Sequence, residues 1–292
     1  MVTTTPTVNP DGSGAIRYSA TNPVLGLTWH AADTFNIYVN YGKGFETPTL
    51  AEVAYVDNGA VTATFNTSIA AARSRHYELG AKWVPHPGTR VDAAVFMVDT
   101  VDEIVTSRTA SGQSAFVNAP GTQRRGVEIG GRTLLSPNWR VLASASAIQA
   151  EFTKAYTTTV TNVAAGNRMP GIPQHFLFTE LLWSSGGFAG GAQRSVAGTQ
   201  GGLEFVSAGR LYANDNNTAS ADGYQVFNLK ASHGWSLGKS RVTAYARIDN
   251  VSDKAYVGSV IVNQSANPTT GQFYEPAPGR NWTLGARLNV PL

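Results

Sequence analysis

Apolar and polar residues alternate along this chain with the period of a β-strand. Residues 34 to 41 place Phe35, Ile37, Val39 and Tyr41 on one face and Thr34, Asn36, Tyr38 and Asn40 on the other, the pattern of a strand with one buried side. The pattern returns at 241–249, where Val242, Ala244, Ala246 and Ile248 oppose Arg241, Thr243, Tyr245, Arg247 and Asp249. It returns again at 281–290, with Trp282, Leu284, Ala286, Leu288 and Val290 opposite Asn281, Thr283, Gly285, Arg287 and Asn289. Tyr77, Leu79, Ala81 and Trp83 oppose Glu78, Gly80 and Lys82, while 139–150 and 174–183 carry apolar groups on both faces. No stretch predicts a long amphipathic helix.

The connections alternate between short and long. Turn-rich segments fall at 31–34, 85–89, 135–138, 184–187 and 236–240, each dominated by residues that favour tight turns. Long polar loops are expected at 43–73, 107–123, 153–173, 198–222 and 250–280, and the first 22 residues read as the tail of another. The result is eleven strands of about 8 to 12 residues, long enough for tilted strands crossing a bilayer and longer than the soluble average. Long strands, tight turns at one end and long loops at the other predict an all-β fold, a transmembrane antiparallel β-barrel. The spacing of the short turns, about 50 residues, also suits a soluble kelch-like β-propeller. Against that, each period holds two long strands instead of four short ones, and no Gly-Gly or Trp signature recurs.

Composition narrows the picture. Only 14% of the 292 residues are charged, against about 25% in soluble domains. The net charge of +3 is spread singly along the chain, which gives no basic stripe for nucleic acid. With no cysteine, thiol catalysis, thiolate metal sites and disulfides are excluded. Mean hydropathy is −0.14, and no apolar run approaches the roughly 18 residues of a spanning helix. Residues 2–14, VTTTPTVNPDGSG, offer neither a basic segment nor an apolar one, so no signal peptide is read there and the sequence is expected to begin inside a longer protein.

The search for catalysis returns little. G-x-S-x-G, H-E-x-x-H, Walker and helix-opening G-x-G-x-x-G motifs are missing from the sequence. His30, His76, His86, His175 and His233 fall on different strands and turns. Asp99, Asp102 and Glu103 form a small acidic cluster read as a polar strand face or rim, and the oxygen-rich 212–223 segment lacks EF-hand spacing. No enzyme, resident metal or cofactor is expected.

Several segments together resemble a known family: YGKGFETPTLAE (41–52), RHYELGAKW (75–83), RRGVEIGG (124–131), MPGIPQH (169–175), RIDNVSDKAYVGSV (247–260) and YEPAPGRNW (274–282). In this order they are similar to the C-terminal half of TonB-dependent outer-membrane receptors, over nearly the whole chain. The resemblance implies that residues 1–292 are one unit, a C-terminal part of a 22-stranded barrel contributing about eleven strands, without the plug domain. It further implies the outer membrane of a Gram-negative bacterium, a ferric siderophore or similar scarce ligand, and outer-membrane lipid as surroundings. The partners would be an N-terminal plug with the remaining barrel half, and the TonB energy-coupling complex acting through that plug. Segments 24–30 and 281–290 are then expected as sheet edges, which two copies of the chain would satisfy by pairing. The chain ends Val290, Pro291, Leu292 rather than in the family's aromatic residue.

Within that frame Gly42, Gly44 and Pro48 lead the chain off a strand into a loop. Tyr77 and Trp83 are expected as interfacial anchors, with a Glu78–Lys82 salt bridge on the lumen wall. Asp249, Asn250, Asp253 and Lys254 are expected to bond rim backbone, and Tyr274, Pro276, Pro278 and Arg280 to pin the last loop. Ligand contacts are expected on the inner faces of the outer loops, from Arg73, Arg75, Tyr156, Arg168, Tyr212, Tyr256 and Tyr274. Guanidinium groups there supply charge and donors to an anionic ferric chelate, and rings supply stacking surfaces. A passive outer-membrane channel or barrel enzyme is the alternative function.

Overall fold

The computed structural model describes residues 12–54, 56, 65–108, 114–189, 192–193, 198–264 and 273–290. Eleven strands form one antiparallel sheet in which each pairs only with its neighbours in the chain. We number them β1 (Val24–Ala32), β2 (Phe35–Glu46), β3 (Ala72–Trp83), β4 (Arg90–Val101), β5 (Thr122–Ser136), β6 (Trp139–Phe152), β7 (His175–Ser184), β8 (Gly198–Ala208), β9 (Tyr224–Leu237), β10 (Ser240–Asp249) and β11 (Asn281–Asn289). β1 and β11 lie at the two edges of the sheet. No helix among the described residues is long and apolar enough to cross a membrane, which leaves strands that cross one untouched.

Alternation decides the two faces. Leu27, Trp29, Val39, Leu79, Val95, Val127, Ile129, Leu203, Phe227, Leu229, Trp282 and Leu284 all share one face and are exposed there. So much apolar surface facing outward suits lipid, not water. On the opposite face stand Asn36, Glu78, Lys82, Asp92, Glu128, Glu180, Glu204, Lys230 and Arg247, on strands whose register is continuous. Backbone groups within the sheet pair strand to strand, which a spanning structure requires.

Two expected boundaries moved. The loop expected at 198–222 begins later, because Gly198–Ala208 is a full strand paired on both sides with β7 and β9. Leu203 and Phe205 face outward and Glu204 and Val206 inward, but the Gly201–Gly202 pair conceals the alternation. The connection after β7 is consequently longer than the 184–187 turn and carries a two-residue ladder, Phe188–Ala189 with Ala192–Gln193. The expected loop at 107–123 is also structured, since Glu103–Arg108 pairs with Ser114–Ala119 and extends the sheet outward as a hairpin.

The expected Glu78–Lys82 ion pair does not form; Tyr38 stands between the two. Its hydroxyl donates to the Glu78 carboxylate, and Lys82 Nζ lies 5.3 Å from its ring centroid. Room for the ring comes from Gly80, directly opposite Tyr38, where an added Cβ would sit 2.3 Å from the ring. Gly80→Val is therefore expected to expel the ring and lower stability by about 1–3 kcal/mol, read as the heat-induced loss of folded-barrel mobility in a cold SDS gel. If the clash is the cause, adding Tyr38→Ala to Gly80→Val must cost no further stability.

Candidate functional site

At the end of the sheet bearing the long loops, the polar face opens into a 380 Å³ hollow. β2, β3, β4 and β5 line it through Glu46, Ser74, His76, Thr100 and Arg124, and the hairpin adds Glu103. The Ser74 hydroxyl and His76 Nε2 are 2.7 Å apart. Glu103 takes Arg124 Nη2 at 2.7 Å and the Thr122 hydroxyl at 2.7 Å. Burial pushes the Glu103 carboxyl up, but Arg124 and Thr122 outweigh burial and hold it below the usual range. Deeper on the same face a second hollow of 410 Å³ is lined by Tyr38, Glu78, Asp92, Glu128, Ser144 and Ser146.

Above this end four loops meet around one buried carboxylate. Asp215, 2% exposed, lies in the loop between β8 and β9. Its Oδ2 accepts the Tyr156 hydroxyl at 2.9 Å and Asn263 Nδ2 at 2.9 Å. Asn263 also donates to the Thr106 carbonyl at 2.7 Å and accepts the Asp215 amide at 3.1 Å, while its own carbonyl receives Arg108 Nε at 2.7 Å. Asn167 reaches the Asp215 carbonyl at 2.9 Å, and Asn216 Nδ2 reaches Thr161 Oγ1 at 3.0 Å. The connections after β4, β6, β8 and β10 are thereby joined. Burial raises the Asp215 carboxyl above the usual range, although Asn263 and Tyr156 oppose that shift. Tyr156 is likewise pushed up, by burial first and then by the Asp215 charge.

Two apolar clusters back this polar knot. Ala119, Ala150, Phe152, Val163 and Met169 form one, with Tyr156 and Ile172 against it. Ala213, Ala219 and Phe273 form the other, with Val260 and Tyr274 against it. The loop core is thus packed like a small domain rather than draped over the rim.

The seven expected ligand residues divide by geometry. Tyr156 and Tyr274 spend their hydroxyls within the cap, Tyr156 on Asp215 and Tyr274 on the Ser220 carbonyl at 3.2 Å. Arg168 is fixed by its backbone, its amide donating to Asn217 Oδ1 at 2.6 Å and its carbonyl accepting Asn217 Nδ2 at 2.8 Å. Its Nη1 is buried without a partner among the described residues. Tyr212 stays half-buried beside the Leu211–Tyr212 and Ser220–Ala221 ladder. Tyr256 stacks on Tyr224 with ring centroids 4.1 Å apart. Arg73 and Arg75 depart from the inner-loop expectation: they are strand residues of β3, in step with Tyr77 and Leu79, and so face outward.

Strand β10 ends where expected. Asn250 and Asp253 take left-handed backbone conformations, at φ 51° and 55°, which Asn and Asp tolerate better than most residues. The Asn250 amide exchanges bonds with Lys254 at 2.8 and 2.9 Å, and Asp253 receives the Arg280 amide at 2.7 Å.

Sequence reading missed two groups. The Asp215 knot was visible only as an unexplained Asn/Asp run at 214–217. The second group is an ionic ladder on the polar face, where Glu204 takes Lys230 at 3.0 Å and Arg247 at 2.6 Å. Lys230 also pairs with Glu180, and Arg247 pairs with Asp249 at 2.7 Å. These charges lie on four successive strands, all of inward parity, and only the register unites them. The acidic trio does not converge. Asp99 faces outward and binds Gln123 at 2.8 Å, Asp102 turns the chain at φ 57°, and Glu103 serves Arg124. No three His, Asp or Glu among the described residues stand close enough to hold a metal.

Comparison with known proteins agrees with this architecture. Solved structures of similar fold include the siderophore receptor PiuA from Acinetobacter baumannii, with a TM-score of 0.67 and 20% identity over 91% of this chain and 35% of that one. The ferric yersiniabactin uptake receptor FyuA from Yersinia pestis gives 0.63 and 19% over 91% and 36%. The copper transporter OprC gives 0.66 and 16% over 91% and 37%. The chain thus spans about a third of the length of these receptors. The sequence profile of the TonB dependent receptor-like β-barrel matches residues 2–251, and the chain belongs to that family.

Proposed function

We propose that residues 1–292 form a C-terminal part of an outer-membrane receptor barrel in a Gram-negative bacterium that actively imports a scarce ligand, a ferric siderophore. The observation that carries this reading is the four-loop cap joined, through the Glu103–Arg108 hairpin, to a polar hollow at the long-loop end of the sheet. A cap of packed loops selects and retains a ligand, where an open pore would admit solutes freely. Siderophore receptors among the similar structures support the ligand class. Energy would come from the TonB complex through an N-terminal plug, which would fill the lumen beside the remaining barrel strands.

For ligand contact we retain Arg168, Tyr212 and Tyr256. All three side chains are partly accessible, and Arg168 keeps a buried guanidinium nitrogen, Nη1, without a partner among the described residues. Tyr156 and Tyr274 act one step back, by holding the loops. Cells expressing the complete receptor should take up radioiron presented as a ferric siderophore, saturably and only while the proton-motive force is intact. Arg168→Ala should weaken binding about tenfold, the effect of roughly 1.4 kcal/mol. Uptake that persists with an uncoupler would instead favour a passive channel.

A further inference from the structure

Arg73 and Arg75 stand on the outward face of β3, and Lys43 stands beside them on β2, directly opposite Arg75 in the register. All three side chains are exposed. None has a side-chain partner among the described residues. Like charges placed directly across a strand pair destabilise it; on its other side Arg75 faces Asp99 of β4, one carboxylate against three cations, which leaves room for a further anion over the cluster.

The height of the cluster identifies that anion. One outward step below Lys43 and Arg75 are Tyr41 and Tyr77, whose ring centroids lie 5.3 Å apart. Below the tyrosines come Val39 and Leu79 of the apolar band. Paired tyrosines at the end of an apolar band mark the membrane–water boundary. One step of two residues, about 7 Å along the strand, carries the cations to the level of lipid headgroups on the long-loop side.

The neighbouring strands bring Arg125, whose guanidinium donates to Gln149 at 3.0 Å, and two acids already engaged by amides. Asp99 accepts Gln123 at 2.8 Å and Glu151 accepts Gln149 at 2.6 Å. Four cations against two anions leave a positive patch. On β7, β8 and β9 the outward residues just above the apolar band are His175, Ser207 and Gln225, so the patch is local to one side of the sheet.

We propose that Lys43, Arg73 and Arg75 form an exterior site for the phosphate groups of an outer-leaflet glycolipid. Arginine forks match phosphate oxygens with two parallel bonds, and the tyrosines beneath would meet the sugar and the first methylenes of the acyl chains. The site rests on the outer-membrane reading above, since an exterior headgroup level exists only if the apolar band lies in a bilayer.

The test reconstitutes the receptor, extracted from outer membranes in mild detergent, into phosphatidylethanolamine nanodiscs carrying either bisphosphorylated lipid A or the same lipid stripped of phosphate. Lipid retained after re-extraction is counted by mass spectrometry. The receptor should retain the phosphorylated lipid preferentially. The K43Q/R73Q/R75Q variant should retain about tenfold less, and Lys239→Gln, at the turn on the opposite end, should match the parent. R73K/R75K keeps the charge and should restore much of the retention, which keeps the result readable if the triple variant folds poorly. Equal retention of both lipids by the parent, or undiminished retention by a folded triple variant, would overturn the site while leaving the barrel reading intact. Failure of the parent receptor to enter nanodiscs would overturn both.

Discussion

Replacing Asp215 by alanine is expected to unfasten the outer loops while leaving the sheet paired. The substitution strands the Tyr156 hydroxyl and the Asn263 amide, both of which donate to Asp215 Oδ2 at 2.9 Å. A buried donor left without an acceptor costs about 1–3 kcal/mol. Relief from burying a carboxylate offsets part of this, so a net loss of about 2 kcal/mol in cap stability is expected. Limited proteolysis should then cut within 153–174 and 250–264 many times faster than in the parent, with the heat-dependent gel mobility of the barrel unchanged. Protection equal to that of the parent would show that the apolar clusters alone hold the cap.

Asp215→Asn separates charge from shape. Both donors converge on one oxygen, Oδ2, and the asparagine carbonyl can occupy that place and keep both bonds. Burial holds the folded Asp215 pKa above its unfolded value, so the folded cap binds the proton more tightly. Its contribution is fully present below the ordinary aspartate pKa and is lost as pH rises through the raised one. Glu103 has the opposite sign. Its folded pKa is lowered, so its contribution is present above the ordinary glutamate pKa and lost as pH falls through the lowered one. In the parent, protease resistance of the cap should therefore decline with rising pH above the ordinary aspartate range. In Asp215→Asn that decline should vanish through the carboxylate range, with the Glu103 loss at strongly acid pH retained.

What could be read from the sequence follows from how local each signal is. Strand alternation needs only neighbouring residues, so β2, β10 and β11 stand out wherever each face is uniform. β8 escaped because Gly201 and Gly202 contribute no side chain to either face. Its strand character comes from two full ladders with β7 and β9. The Asp215 knot draws on residues 48 to 109 positions from Asp215, such as Asn263 and Thr106, and no short window contains them. Arg73 and Arg75 show the converse. Their parity with Tyr77 was legible throughout, and counting outward from Trp83 places both on the lipid side. The register with β2 then adds Lys43, which sequence spacing alone does not associate with them.

Glu204 is expected to be the most costly single position on the polar face. Its side chain is 8% exposed and bridges Lys230 at 3.0 Å and Arg247 at 2.6 Å, and Asn228 Nδ2 adds a bond at 3.3 Å. Exposed ion pairs contribute about 0–1 kcal/mol, but removing one partner of a buried set leaves the others uncompensated, at about 3–5 kcal/mol. Lys230 and Arg247 keep about a third of their side chains exposed and other carboxylates within reach, Glu180 and Asp249. A loss near the lower limit, about 3 kcal/mol, is therefore expected for Glu204→Ala. The sequence of repairs is the sharper test. Glu204→Gln keeps the shape and one acceptor, so it should lose less. Lys230→Met added to Glu204→Ala removes one uncompensated cation and should recover part of the loss, because an apolar side chain tolerates that environment better than an unpaired charge. A Glu204→Ala barrel that unfolds at the parent's temperature would mean that Glu180 and Asp249 alone neutralise the ladder, with Glu204 adding nothing to stability.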